Sequence, residues 1–225
     1  MQYVVWLVYG GFWLLLAFDP VSRFTWVLEN VVVTIFLVGF LSSHRYLNWS
    51  RMAQAAVLGF LVLHALGAHY TYSLVPYDEL GRSLSGVSIN EAFGWQRNQY
   101  DRLVHFAYGC LLSLPMLEAL RRRISRRRDA AAITLMLVMS TSLVYEIIEW
   151  GAVIVFAGDQ GQAFLGAQGD PWDAHKDMTL ACFGSLLSVT IATGLGWLNV
   201  FRRRVIQNGG GQVPGTRSVL DSNNG

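Results

Sequence analysis

Lysine is almost missing from this chain. Lys176 is the single one in 225 residues, and charged residues of both signs together make up 14%, against roughly 25% in soluble domains. So little charge cannot wet the surface of a protein this size, which excludes an ordinary soluble globule. Cysteine is nearly as scarce: Cys110 and Cys182 both fall inside apolar stretches with no CxxC or Cys/His zinc spacing, and both read as small buried apolar residues. No HExxH, GxSxG, P-loop or GxGxxG pattern is present, so the mechanisms those motifs carry have no support. No repeat of fixed period is visible either.

What fills the chain instead is apolar: 53% of residues are hydrophobic and the mean hydropathy is positive. A spanning helix needs about 20 apolar residues, and six such runs can be placed, at 2–18, 24–43, 53–75, 101–120, 130–157 and 177–200. The expected fold class is therefore all-α: a polytopic membrane protein built as a bundle of six transmembrane helices. The first run is the shortest, but no Lys or Arg precedes it and no small-x-small cleavage pattern stands before Asp19-Pro20, so it reads as a retained helix rather than a signal peptide.

Arginines set the expected orientation. Arg121, Arg122, Arg123, Arg126, Arg127 and Arg128 separate spans four and five, Arg202, Arg203 and Arg204 follow span six, and Arg45 and Arg51 lie between spans two and three. Short loops this basic stay in the cytoplasm, which places both termini there and makes the protein a multi-pass component of the bacterial cytoplasmic (inner) membrane. Nine of the 17 basic residues sit in the two clusters, and the remaining 8 face 15 acidic ones, most of them on the outer side. Topogenic arginines explain the basic patches fully, so the lipid bilayer is the expected partner and nucleic acid is not. The organisation that follows is a transmembrane domain over 1–204 and a tail over 205–225, rich in Gly, Asn and Ser, that reads as disordered.

Ionisable groups inside a membrane are costly and default to function. Span two carries Glu29-Asn30, and span three carries His64 and His69-Tyr70. A haem held by His64 and His105 is disfavoured, because buried histidines satisfied by hydrogen bonds are commoner than axial ligands. The outer loop 76–99 is long enough to be functional, or to cap the helix ends.

Three segments hold most of the chemistry. Asn98-Gln99-Tyr100-Asp101-Arg102 opens span four, with Asp101 and His105 at i and i+4 on one face. Tyr145-Glu146-Ile147-Ile148-Glu149-Trp150 places two carboxylates at i and i+3 in span five, which implies a hydrated cavity, a cation or a shared proton. Gln168 to Asp177 supplies a Gly169-Asp170-Pro171 turn, an interfacial Trp172, and Asp173 and Asp177 on one helix face. Spans four and six both begin outside, so these carboxylates start at similar depth, with Glu29 and His69 at comparable depth. Asp101, His105, Glu146, Glu149, Asp173 and Asp177 are the expected ligands of a hard or borderline divalent metal such as Mg, Mn or Zn. Asp101, His105, Glu146 and Glu149 are the expected acid/base groups of any catalysis there. Lys176 is expected to pair with Asp173 or Asp177, and Glu118 with Arg121 or Arg122. Ala181, Gly184, Ser185 and Ser188 would let span six approach a neighbour closely.

These residues carry a resemblance. Tyr100-Asp101-Arg102 with His105-Phe106, Tyr145-Glu146 with Glu149-Trp150, and Gly169-Asp170-Pro171-Trp172-Asp173 with Lys176-Asp177-Met178 resemble the YjdF-like family of uncharacterised bacterial inner-membrane proteins, from about span two to the end of span six. The same segments are more distantly similar to VanZ-like membrane proteins, associated with glycopeptide resistance and the cell envelope. Asp101, His105, Ser142, Glu146, Asp177 and Gly184 match that pattern, while Glu149 stands where it has Gln and Ala181 where it has Asn. The resemblance implies an envelope setting and names no reaction. Three functions follow as expectations: a metal-dependent hydrolase or transferase acting on an envelope or lipid-linked substrate, a carrier for a proton, cation or small solute, and a structural or partner-binding membrane subunit.

Overall fold

The computed structural model describes residues 2–156 and 166–194. Among these every regular element is a helix: α1 (Gln2–Ala17), α2 (Arg23–Leu47), α3 (Arg51–His69), α4 (Tyr77–Ser85), α5 (Ile89–Phe93), α6 (Tyr100–Arg121), α7 (Arg127–Val155) and α8 (Asp173–Gly194). Five of them, α2, α3, α6, α7 and α8, are long and apolar enough to cross a bilayer. The sixth apolar helix, α1, has 16 residues, about 24 Å at ~1.5 Å per residue, which falls short of a ~30 Å hydrocarbon core. The arginines expected after span six and the tail expected over 205–225 lie outside the described residues.

Local signals fix the helix ends. Ser22 caps α2 by accepting from the Thr25 amide at 3.2 Å, and Asn48 stops it at a φ of 42°. Ser50 caps α3 through the Ala53 amide at 3.1 Å. Glu118, from the far end of α6, reaches the same point and accepts from the Ser50 amide at 3.0 Å and the Ser50 hydroxyl at 2.6 Å. Its ion pair with Arg122 is present at 3.2 Å, so the expected pairing is one part of a larger tie between α3 and α6.

Large apolar side chains point outward where lipid would meet them: Leu7, Leu15, Val31, Ile35, Val38, Met136 and Ile147 are all exposed. The core lies between α1, α3 and α6, around Val57, Leu61, Phe60, Val104 and Leu112, with Trp6 and Tyr9 of α1 packed against it.

The tightest packing is between α6 and α8. A β-carbon added at Gly109 would lie 1.9 Å from the Ala181 carbonyl oxygen, and one at Gly184 would lie 2.2 Å from that of Phe106. Below this contact the Ser113 hydroxyl donates to Ser185 at 2.7 Å. Small residues at helical spacing on both helices thus let the backbones meet, as Ala181, Gly184, Ser185 and Ser188 led us to expect. The two helices run in parallel, α7 packs against both, and α3 covers the other side of α6.

We call outer the end where α6 and α8 begin, following the arginine distribution. There the 76–99 segment forms α4 and α5, clipped together by Asp78, which accepts from the Ser88 hydroxyl at 2.9 Å and the Asn90 amide at 2.8 Å. These bonds, that of Asn90 foremost, hold the Asp78 carboxyl below its usual range.

Candidate functional site

Because α6 and α8 touch backbone to backbone at Gly109, Ala181 and Gly184, the residues one and two turns nearer their outer ends are forced together. Asp101 and His105 come from α6 and Asp177 from α8. Each offers one ligand atom, and the three atoms lie within 4.8 Å of one another. Two ligands on opposite sides of one ion, at about 2.0–2.6 Å each, are about 4–5 Å apart, so the trio has the span of a single cation site. His105 Nε2 lies 3.5 Å from Asp101 Oδ1, and its Nδ1 lies 3.9 Å from Glu146 Oε1 on α7. Glu149, one turn further along α7, is within electrostatic reach of Asp101, Glu146, Glu29 and Asp177.

All five of these groups are at least nine-tenths buried, and Glu146 Oε1 and Asp177 Oδ1 have no hydrogen-bond partner. Buried polar atoms are nearly always satisfied, so an orphan in a native fold demands a reason. Four carboxylates share this volume with one imidazole. The arginines closest to them, Arg97 and Arg102, are engaged elsewhere. Such a group needs protons or a cation to neutralise it.

Asp173 belongs to the rim rather than to this trio. It is bonded to Arg97 through both oxygens and lies 3.4 Å from Arg102. Arg97 also donates to the Ala167 carbonyl at 3.1 Å, and Asn98 and Gln168 exchange hydrogen bonds of 3.0 and 3.1 Å. Asp170 accepts from Arg102 at 2.6 Å, Lys176 at 2.5 Å and the Trp172 amide at 3.0 Å. Lys176, then the Trp172 amide, pull its carboxyl down to about 2. Lys176 therefore pairs with Asp170, not with Asp173 or Asp177 as its position suggests. Asp170 follows a tight turn that brings its carboxylate back over the first turn of α8, while Asp173 is already claimed by the guanidiniums. Together these bonds lace the segment before α8 to the start of α6, so α6 and α8 are aligned at their outer ends as well as in mid-membrane.

A second polar group closes the site on the side of α2 and α3. Tyr145 donates to Glu29 at 2.7 Å, and the Tyr72 hydroxyl shares a 2.6 Å hydrogen bond with His64 Nδ1. Thr71 and Tyr72 both adopt positive φ, 54° and 55°, a strained backbone for non-glycine residues. That turn folds the Tyr72 ring onto α3, where a β-carbon on Gly67 would lie 2.5 Å from it. His69 does not join: its Nδ1 bonds the Leu16 carbonyl at 2.8 Å and ties α1 to α3.

Two of these participants, Arg97 and Tyr72, were not singled out by sequence, and Tyr145 was picked out only as a neighbour of Glu146. Arg97 could have been found as an arginine lying, on the expected orientation, on the side that the positive-inside bias depletes of arginine. Tyr72, and the pairing of Tyr145 with Glu29, could not, because nothing local marks the cross-helix partner of a tyrosine in a chain with nine of them. Below the cluster, α2, α3, α6 and α7 enclose a cavity of about 240 Å³ whose outer end is formed by Asp101 and His105.

Apolar helices of spanning length, with an acidic and imidazole cluster buried at one end of the bundle, define a multi-pass membrane protein. The chain belongs to the family described as "Predicted membrane protein (DUF2238)", whose match covers residues 1–197. Inner membrane protein YjdF of Escherichia coli (strain K12) is 31% identical to it over 170 residues, 75% of this chain and 77% of that protein. The chain is accordingly a multi-pass protein of the bacterial inner membrane. No solved structure matches it.

Proposed function

We propose that Asp101, His105 and Asp177 hold a divalent cation at the outer end of the bundle, and that the protein is a hydrolase or transferase acting there on an envelope or lipid-linked substrate. The observation that carries this reading is the convergence of one ligand atom from each of the three residues within 4.8 Å, beside orphaned oxygens of Asp177 and Glu146. Carboxylates with one imidazole suit Mg, Mn or Zn. Bound there, the cation supplies Lewis-acid polarisation of a phosphoryl or carbonyl oxygen.

The rest of the chemistry belongs to the chain. Glu146, 3.9 Å from His105 and buried, is placed to accept a proton from water or a hydroxyl and return it to a leaving group. Glu149 stands behind it as a second carboxyl able to share that proton. Asp173 is a positioning residue that, through Arg97, keeps the segment before α8 over the site. The resemblance to VanZ-like proteins supports the envelope setting. A carrier is supported less well: its path should continue to the inner ends of the helices, where Leu117, Ala130 and Ala192 form a buried apolar cluster.

The test is release of inorganic phosphate from a polyprenyl diphosphate, and from a phosphatidic acid, by purified protein with and without Mn²⁺. Metal-dependent release by the wild type, abolished in Glu146→Gln, is the expected result. No release from either compound, or equal release by Glu146→Gln, would contradict the reading.

A further inference from the structure

The cavity beneath the cluster has a polarity gradient that the proposed cation site does not explain. At its outer end are Asp101 and His105. About one turn deeper, His64 and Ser142 line it, and His64 Nε2 and Ser142 Oγ are buried without hydrogen-bond partners. With His64 Nδ1 bonded to the Tyr72 hydroxyl, Nε2 has either a proton or a lone pair to offer, whichever tautomer is present. Deeper still the walls are Phe36, Leu112 and Met116, which are wholly apolar.

The cavity also has a side on the bilayer. Tyr145 and Glu29 bridge α7 and α2 near the outer end at 2.7 Å, and Phe24 meets Phe156 edge-on with ring centroids 4.8 Å apart. Val32, Val33 and Phe36 of α2 and Thr141 and Tyr145 of α7 all line the cavity while staying partly or fully exposed. The cavity therefore reaches the surface on the side shared by α2 and α7, where the exposed Val31, Ile35 and Leu143 would meet the hydrocarbon layer. An empty cavity would leave two polar atoms unsatisfied at its middle, while its deep apolar end gives water nothing to bond. At about 240 Å³ the space is below the ~300–1,000 Å³ of pockets that swallow a whole small ligand. It suits one chain, not the body of a two-tailed lipid.

We propose that this cavity is the berth of a single hydrocarbon chain of an amphiphile that slides in from the bilayer between α2 and α7. The amphiphile's first oxygen-bearing linkage lies at His64 Nε2 and Ser142 Oγ, and its anionic head lies at Asp101, His105 and Asp177. The placement of the head rests on the cation reading above; the placement of the chain does not. The substrate class is thereby narrowed to a lipid with an ester, ether or hydroxyl oxygen close to the start of one chain.

The probe is a lysophosphatidic acid with a diazirine midway along its acyl chain, mixed into phosphatidylethanolamine and phosphatidylglycerol vesicles that hold the full-length protein. After irradiation, adducts are expected on peptides carrying Phe36, Leu112 or Met116, reduced at least tenfold by excess unlabelled lysophosphatidic acid. Leu112→Trp should remove them while Mn²⁺ binding is unchanged. Adducts confined to outward-facing side chains such as Ile35, Met139 and Ile147, without competition, would overturn the proposal, as would undiminished labelling in folded Leu112→Trp. Should that variant fail to fold, the wild-type adduct map and its competition decide alone. Competable cavity adducts from a protein that binds no Mn²⁺ would keep the berth and refute the cation site.

Discussion

Gly109 of α6 lies against the backbone of Ala181 of α8 so closely that a β-carbon on the glycine would sit 1.9 Å from the alanine's carbonyl oxygen. That contact is two turns from Asp101 and one turn from Asp177, and it decides how near their carboxylates come. Overpacking a close helix contact costs about 1–3 kcal/mol, and here the obstacle is backbone, which cannot rotate away. Gly109→Ala should lower thermal stability in detergent by an amount at the top of that range and weaken Mn²⁺ binding with it. Gly151→Ala is the control: nothing lies within 4 Å of its added β-carbon on α7, so it should be neutral or slightly stabilising. Equal behaviour of the two variants would mean that the α6 and α8 backbones do not meet.

Tyr145 is the donor that satisfies Glu29, a carboxyl only 2% exposed. Tyr145→Phe leaves that carboxyl without its bond from α7, a loss of about 1–3 kcal/mol for a buried group. Thermal unfolding should show this destabilisation in the wild-type background and much less of it in a Glu29→Leu background. The same loss in both backgrounds would show that the pair does not interact.

How much was legible beforehand differs by feature. Helix positions followed from apolar run length, and a close backbone approach by α8, though not its partner α6, from Ala181, Gly184, Ser185 and Ser188, because backbone approach requires small side chains. The convergence of Asp101, His105, Glu146 and Asp177 was legible from helix direction and i, i+4 spacing. What escaped was partner choice. Asp173 and Asp177 look equivalent on one helix face, yet Asp173 is held by Arg97 at the rim while Asp177 turns inward with an orphaned oxygen. Only tertiary contact separates them. The turn at Thr71 and Tyr72, at positive φ without glycine, was illegible for the same reason.

The segment before α8 should respond to acid, and late. Lys176 and its companions hold the folded Asp170 carboxyl at about 2, below the ordinary ~3.9 of an unfolded aspartate. A depressed folded value means the stabilisation is complete above about pH 4 and disappears as pH falls through about 2. Amide exchange at Trp172 should therefore stay protected from pH 8 to pH 4 and rise below about pH 3. Loosening that begins between pH 7 and pH 5 would assign the clasp to another group.

Orientation is open to direct labelling. With Cys110 and Cys182 replaced by alanine, a cysteine at Ser83 in α4 should react with a membrane-impermeant maleimide added to intact cells, and one at Ser125 should react only after lysis. Ser83 and Ser125 are both exposed and lie on opposite sides of α6 in the chain. The reverse pattern would invert the assignment made from the arginines.

The central claim is that three residues from two helices hold one cation, and Mn²⁺ titration followed by electron paramagnetic resonance tests it most directly. Wild-type protein in detergent should bind one Mn²⁺ per chain, displaced by Mg²⁺ or Zn²⁺. Asp177→Asn should bind at least tenfold more weakly, about 1.4 kcal/mol, while keeping the wild-type unfolding temperature within a few degrees. Negligible Mn²⁺ in both proteins, or equal affinity in the two, would contradict the account.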